Sequence, residues 1–234
     1  MRILSLIVGL LMMMTGFDLE KKESAESKNL SKKTVFTSDT AQGIDISFYQ
    51  KDISWWKVKN VHFVFIKATE GTSISDSKFK ENWDSSKQNG ILRGAYHFYR
   101  PYVSAKDQFR HFKSRVKLEL GDLPPVLDIE VHHKYPSHIR REALSWLKLA
   151  ESHYGVKPII YCTYWFYKKY FDFPEFEKYP LWIANYVAED LNTVTSDWHF
   201  WQHTSTGKID GIRGDVDQNI FNGTYDSLLS LCKR

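Results

Sequence analysis

Several chemistries are missing from this 234-residue chain before any motif is read. Two cysteines, Cys162 and Cys232, are too few for a disulfide framework or a thiolate metal site. Cys162 lies in the apolar run Pro158-Ile159-Ile160-Tyr161-Cys162 and reads as a small buried residue, with pairing to Cys232 left open. No Gly-rich phosphate loop and no Ser-centred nucleophile elbow are present, so the sequence offers no nucleotide cradle and no serine triad. Charge of one sign is also absent. Lys and Arg are spread among acids for a net charge of +4, which argues against nucleic acid as a partner. His132 and His133 are adjacent but lack a ligand spacing with further donors, so no metal and no other cofactor is expected.

Long hydrophobic runs are confined to one place. Met1-Arg2 precedes an apolar stretch from Ile3 to Met14, which is short for a membrane span and fits an export signal over residues 1–17. An uncleaved anchor is the alternative. Residues 18–40 are rich in Lys, Glu and Ser and read as a polar disordered spacer. The expected location is therefore exported: the cell envelope, as periplasm or membrane-anchored, or secreted. Residues 41–234 are left as one domain of about 190–200 residues, long enough for a full core.

What the domain does have is aromatic residues and a pair of closely spaced acids. Eight Trp and thirteen Tyr supply core packing and also the flat apolar faces on which sugars stack. Asp128 and Glu130 stand two apart in Pro124-Pro125-Val126-Leu127-Asp128-Ile129-Glu130-Val131, an apolar strand opened by prolines. Side chains alternate along a strand, so i and i+2 project from one face. Two buried neighbouring carboxyls raise at least one pKa, which suits a proton donor beside an anion, as in glycoside hydrolysis. The alternative is a strand end emerging into solvent with both acids hydrated.

Strand-like and helix-like stretches alternate from Ala41 onward. Strands are expected at Gly43–Phe48, His62–Ala68, Leu92–Tyr99, Pro124–Val131, Pro158–Thr163, Leu181–Tyr186, His199–Gln202 and around Val216-Asp217. Ser104 caps a helix carrying Phe109, Phe112 and Val116. Ile139, Ala143, Trp146, Leu147, Ala150 and Tyr154 form an apolar stripe that Gly155 ends. Helices between apolar strands imply parallel pairing and an α/β barrel of the TIM type, irregular after Leu181, where loops replace helices. Catalytic groups in such barrels gather at the C-terminal strand ends. Asp45, Asp128, Glu130 and Asp217 all fit that rim.

Eight segments then carry a resemblance. In order they are Gly43-Ile44-Asp45-Ile46-Ser47, Phe65-Ile66-Lys67-Ala68-Thr69-Glu70-Gly71, Gly94-Ala95-Tyr96-His97-Phe98 and Pro125-Val126-Leu127-Asp128-Ile129-Glu130. They continue as Pro158-Ile159-Ile160-Tyr161, Leu181-Trp182-Ile183-Ala184-Asn185-Tyr186, Phe200-Trp201-Gln202 and Val216-Asp217-Gln218-Asn219-Ile220-Phe221. From Gly43 to Gly223 the chain resembles the family 25 glycoside hydrolases, the Chalaropsis-type lysozymes. Cys162 and His203 depart from the pattern, standing where a Thr or Ser and a Tyr are expected.

The resemblance implies an irregular, flattened TIM-like (β/α)5(β)3 barrel acting on peptidoglycan glycan strands. It further implies hydrolysis of the β-1,4 bond from N-acetylmuramic acid to N-acetylglucosamine; the chain is expected to be a monomer. Glu130 matches the family's proton donor, and Asp45, Asp128 and Asp217 match its other acidic site residues. The i, i+2 carboxylates suit a substrate-assisted retaining route in which the N-acetyl oxygen attacks and Asp128 orients it; a carboxylate nucleophile is the other route. Tyr96, Phe98, Tyr161, Trp182, Tyr186 and Trp201 are the candidates for substrate stacking. Two competing functions are a non-catalytic peptidoglycan-binding module on the same barrel and a metal-dependent deacetylase of the same polymer.

Overall fold

The computed structural model describes residues 40–234. The export-signal reading and nearly all of the spacer lie outside those residues; the first strand starts at Thr40, the last residue of the stretch read as spacer.

Strands β1 (Thr40–Ile46), β2 (Phe63–Glu70), β4 (Leu92–Phe98), β5 (Val126–Asp128), β6 (Ile159–Thr163), β7 (Leu181–Ala184) and β8 (Phe200–Gly207) pair in parallel in that order. β9 (Val216–Thr224) runs antiparallel between β8 and β1, and the β1–β2 pairing closes the barrel. The two-residue β3 (Ile74–Ser75) hangs antiparallel on β2 outside it. All eight expected strands are present, the fourth and sixth shorter than expected and the last two longer. The purely parallel expectation holds up to β8. A short hairpin then turns the chain back, with Gly211 and Gly214 at φ 94° and 89°, and only an antiparallel pair can be joined so tightly.

Side-chain parity divides the apolar residues into two layers. Phe63, Phe65, Val126, Ile159, Trp182, Phe200 and Phe221 point into the barrel. Phe65 stacks on Trp182 at 4.6 Å between centroids and meets Phe200 edge-on at 5.2 Å. Room for these rings comes from glycine. A Cβ at Gly43 would lie 2.3 Å from the Phe63 ring, and one at Gly94 would lie 2.6 Å from Phe65. The alternate residues, among them Ile44, Val64, Ala95, Leu127, Ile160 and Ile183, face outward to the helices.

Helices α1 (Phe79–Gln88), α2 (Ala105–Arg115), α3 (Pro136–Tyr154) and α4 (Tyr164–Tyr170) cover that outer face, and α5 (Tyr225–Leu231) follows β9. Ser104 caps α2 by accepting from the Asp107 amide, and Gly155 ends α3 at φ 75°. The apolar stripe of α3 is buried throughout. α1 gave no apolar signal because two of its four buried positions are the polar Asn82 and Ser86. Cys162 and Cys232 are both free and buried, in different layers.

Candidate active site

The C-terminal ends of the parallel strands surround a cleft of about 270 Å³. Asp45 comes from the end of β1 and Asp128 is the last residue of β5. Glu130 follows just past the strand, and the Ile129 amide still bonds to the Tyr161 carbonyl, so the extended alternation continues and Glu130 faces the cleft beside Asp128. Asp217 arrives by a different route from the one expected. It is the second residue of antiparallel β9, directly opposite Asp45, so the start of that strand meets the same rim.

Five of the six aromatic candidates line the cleft. Tyr161 and Trp182, packed on each other at 4.4 Å, form its floor, Tyr96 and Phe98 part of its wall, and Tyr186 its mouth, 52% exposed. Trp201 is not among them. Phe200 and Gln202 point inward, so alternation sends Trp201 out to the helix layer, 3% exposed, its indole N–H donating to the Asn185 carbonyl at 2.8 Å.

Several residues in and behind the cleft escaped the sequence reading. Gln202 and Asn219, register partners on β8 and β9, each donate an amide N–H to Asp45 Oδ2, at 2.7 and 2.8 Å. Their own carbonyls are occupied: Tyr161 and Tyr186 hydroxyls donate to Gln202 Oε1, and the Trp182 indole donates to Asn219 Oδ1 at 2.8 Å. That fixes which end of each amide faces Asp45. Parity with Phe200 and Asp217 was the available signal. Lys67 projects inward from β2, its ammonium held 2.7 Å from Glu70, while a bulge just beyond it turns Thr69 outward. Tyr49, exposed on the β1–β2 connection, completes one wall.

Burial raises all four acids. Asp45 is pushed up to about 8 by burial and then by the Asp217 charge, against the two amide donors. Asp217 rises to about 6, mainly through burial, with the Glu130 charge adding. Asp128 is driven well above the usual carboxylate range by burial and the Glu130 charge, opposed by Lys67. Glu130 rises through burial, opposed by the Tyr161 hydroxyl and Lys67; it keeps exposed surface at the mouth, but protein crowds its carboxyl. Asp128 and Glu130 repel each other mutually, so they titrate as a pair that holds a proton well above the pH at which lone carboxyls lose it. Asp128 Oδ1 is buried without a protein partner.

The histidines lie elsewhere. His97 faces outward from β4 between Thr69 and Gln108, at 2.8 and 3.1 Å, and burial lowers it to about 3, so it stays neutral. His132 contacts the Tyr170 hydroxyl at 2.9 Å, and His133 stacks on His138 at 4.3 Å. Among the described residues no His, Cys, Asp and Glu cluster has metal-binding geometry.

The sequence profile of Glycosyl hydrolases family 25 matches residues 44–212, which include Asp45, Asp128 and Glu130 and end before Asp217. The chain belongs to that family. Over 199 residues it is 42% identical to the uncharacterized protein YegX of Escherichia coli O6:H1, covering 82% of this chain and 73% of that one. It is 36% identical over 221 residues to lysozyme M1 of Streptomyces globisporus, covering 85% and 74%. The crystal structure of a bacterial lysozyme from Streptomyces coelicolor superposes with a TM-score of 0.75 at 33% identity, over 84% of this chain and 99% of the other. The mixed α/β barrel is therefore the family 25 fold.

Proposed function

We propose that this family 25 hydrolase is a lysozyme that cuts the β-1,4 bond between N-acetylmuramic acid and N-acetylglucosamine in peptidoglycan. The observation that carries the reading is the pair Asp128 and Glu130 on one strand face, with Asp128 Oδ1 buried and unpartnered. A buried acceptor of this kind is costly unless something donates to it. The N–H of a substrate acetamido group is such a donor. Its hydrogen bond favours the ionised form of Asp128 and so leaves the shared proton on Glu130, where general acid catalysis needs it.

Glu130 then gives that proton to the departing glycosidic oxygen as the C1–O bond breaks. The acetamido carbonyl oxygen attacks C1 from the opposite face, and Asp128 stabilises the positive charge that develops on the ring it forms. Water enters next. The Glu130 carboxylate takes its proton while the oxygen attacks C1, which reopens the ring and restores the N-acetyl group with retained configuration. Asp45, held by Gln202 and Asn219, and Asp217, its register partner on β9, tune the charge beside this centre, and Tyr96, Phe98 and Tyr186 offer faces to the sugars. The protein acts as an exported monomer at the cell envelope, in keeping with an export signal over residues 1–17.

Mass spectrometry of fragments from purified peptidoglycan tests the bond. Reducing-end N-acetylmuramic acid is expected; reducing-end N-acetylglucosamine would overturn the assignment, and retention without release would favour a binding module. An activated fluorosugar tests the route. The intact protein should show no mass increase during turnover, whereas a sugar adduct on Asp128 or a neighbour would establish a carboxylate nucleophile.

A further inference from the structure

Beside the acidic cleft lies a second groove of about 390 Å³, between the β1–β2 connection and the β8–β9 hairpin. Its walls are pinned together. The Ser54 amide donates to the Gly211 carbonyl at 2.9 Å, and a Cβ at Gly211 would lie 2.5 Å from Ser54 O, so only glycine lets the two loops meet. The groove adjoins the cleft along the chain: Gln50, next to Lys51, lines the cleft, is locked by a capping box with Ser47, and donates to the Asp215 carbonyl at 3.3 Å.

The charge of this groove is opposite to that of the cleft. Lys51, Lys57 and Arg213 line it, all three exposed, and among the described residues none of them has an ion-pair partner. Its one carboxylate, Asp52, is bonded to Lys78 at 2.5 Å. Lys51 is also held at φ 56°, ψ −137°, a backbone region that suits glycine and that other residues occupy only when their surroundings impose it. Its amide bonds to the Phe48 carbonyl at 3.0 Å, so the turn that ends the cleft wall also aims this lysine.

The glycan backbone of peptidoglycan is neutral, but each intact muramoyl unit carries a peptide stem with free carboxylates. The acids of the cleft offer those carboxylates no partner. We propose that the Lys51–Lys57–Arg213 groove receives the carboxylates of a peptide stem while its glycan strand occupies the cleft. The inference rests on the muramidase reading above. Arg213 can take a carboxylate in two parallel hydrogen bonds, and the lysines act as point charges. Because all three are exposed, the attraction is screened by salt.

The test compares kcat/KM on soluble glycan fragments whose peptide stems keep their carboxylates with the same fragments whose stem carboxylates are converted to amides. At low salt the wild-type enzyme should prefer the fragments with free carboxylates. Replacing all three cations (Lys51→Gln, Lys57→Gln, Arg213→Gln) should lower that preference about tenfold, chiefly through KM, the sum expected of three exposed charge contacts. Raising salt on the wild-type enzyme should erase the same preference, which needs no variant to fold. A wild-type enzyme without preference, or a variant that keeps it undiminished, overturns the stem site. Failure to cut either glycan is a different result and brings down the muramidase reading, and the stem site with it.

Discussion

Asp122 and Asp128 are carboxylates of nearly equal burial, 4% and 5% exposed, at opposite ends of β5. At the N-terminal end Asp122 is fully satisfied. Arg93 donates to both of its oxygens, at 2.8 and 3.3 Å, and the Glu119 amide adds a third bond at 2.7 Å. At the C-terminal end Asp128 has an oxygen with no partner, a second acid two residues away, and a lysine already held by Glu70. The same chemical group is therefore a structural clamp at one rim and an open acceptor at the other. Burial does not distinguish them; the completeness of their hydrogen bonding does. In barrels of this kind the N-terminal face carries stability and the C-terminal face carries chemistry.

The sharpest way to probe that contrast is at the catalytic rim. Glu130→Gln keeps shape and removes the transferable proton, so peptidoglycan turnover should fall by about 10²–10⁴-fold. The thermal midpoint should hold or rise, since a crowded acid is lost. Near-native turnover would break the assignment. At the other rim the effect should be reversed. Asp122→Ala leaves the buried Arg93 with the exposed Glu119, at 3.5 Å, as its remaining acidic partner, and should cost about 3 kcal/mol in denaturant unfolding, with little change in kcat for the molecules that remain folded. A loss of kcat without a loss of stability would erase the distinction between the two ends.

Asp45 offers a subtler test. Its carboxyl is raised from the ordinary range to about 8, so between about pH 4 and 8 the folded protein holds a proton that the unfolded chain has lost. The group therefore adds nothing below that window and weakens the fold progressively as pH rises through it. Asp45→Asn should lift the thermal midpoint more at pH 8 than at pH 5. Equal shifts at both values would show that the amides of Gln202 and Asn219 already hold Asp45 as an anion. The smallest effect is expected inside the barrel. Gly94→Ala presses a methyl against Phe65 and Leu123 and should destabilise by about 1–3 kcal/mol, with the cleft undisturbed.

How far the site was legible depends on the kind of signal each residue carries. Asp128 and Glu130 were visible because an i, i+2 acid pair in an apolar strand is rare and alternation gives it a direction. The inward role of Gln202 and the outward burial of Trp201 follow from the same alternation, yet both residues sit in one short motif, and nothing local says which parity faces the barrel axis. Phe200 decides it, by filling the interior against Phe63 and Phe65. α1 was invisible for a related reason: Asn82 and Ser86 are buried but polar, so the stripe has no apolar period.

The sequence by itself determined the alternating α/β order, the strand positions, the capped helices α2 and α3, and the identity of the four acids. Most of these rest on local periodicity or on short-range capping chemistry, while Asp217 was carried by the resemblance to family 25. Tertiary structure alone decided that β9 runs backwards and delivers Asp217 from its first turn of chain, opposite Asp45. It also decided that two amides clamp Asp45, that Lys67 enters the cleft, and that three unpaired cations gather beside it. Those facts join residues up to 174 positions apart in the chain. Charge, burial and hydrogen bonding act through space, and barrel closure brings those distant residues within their reach.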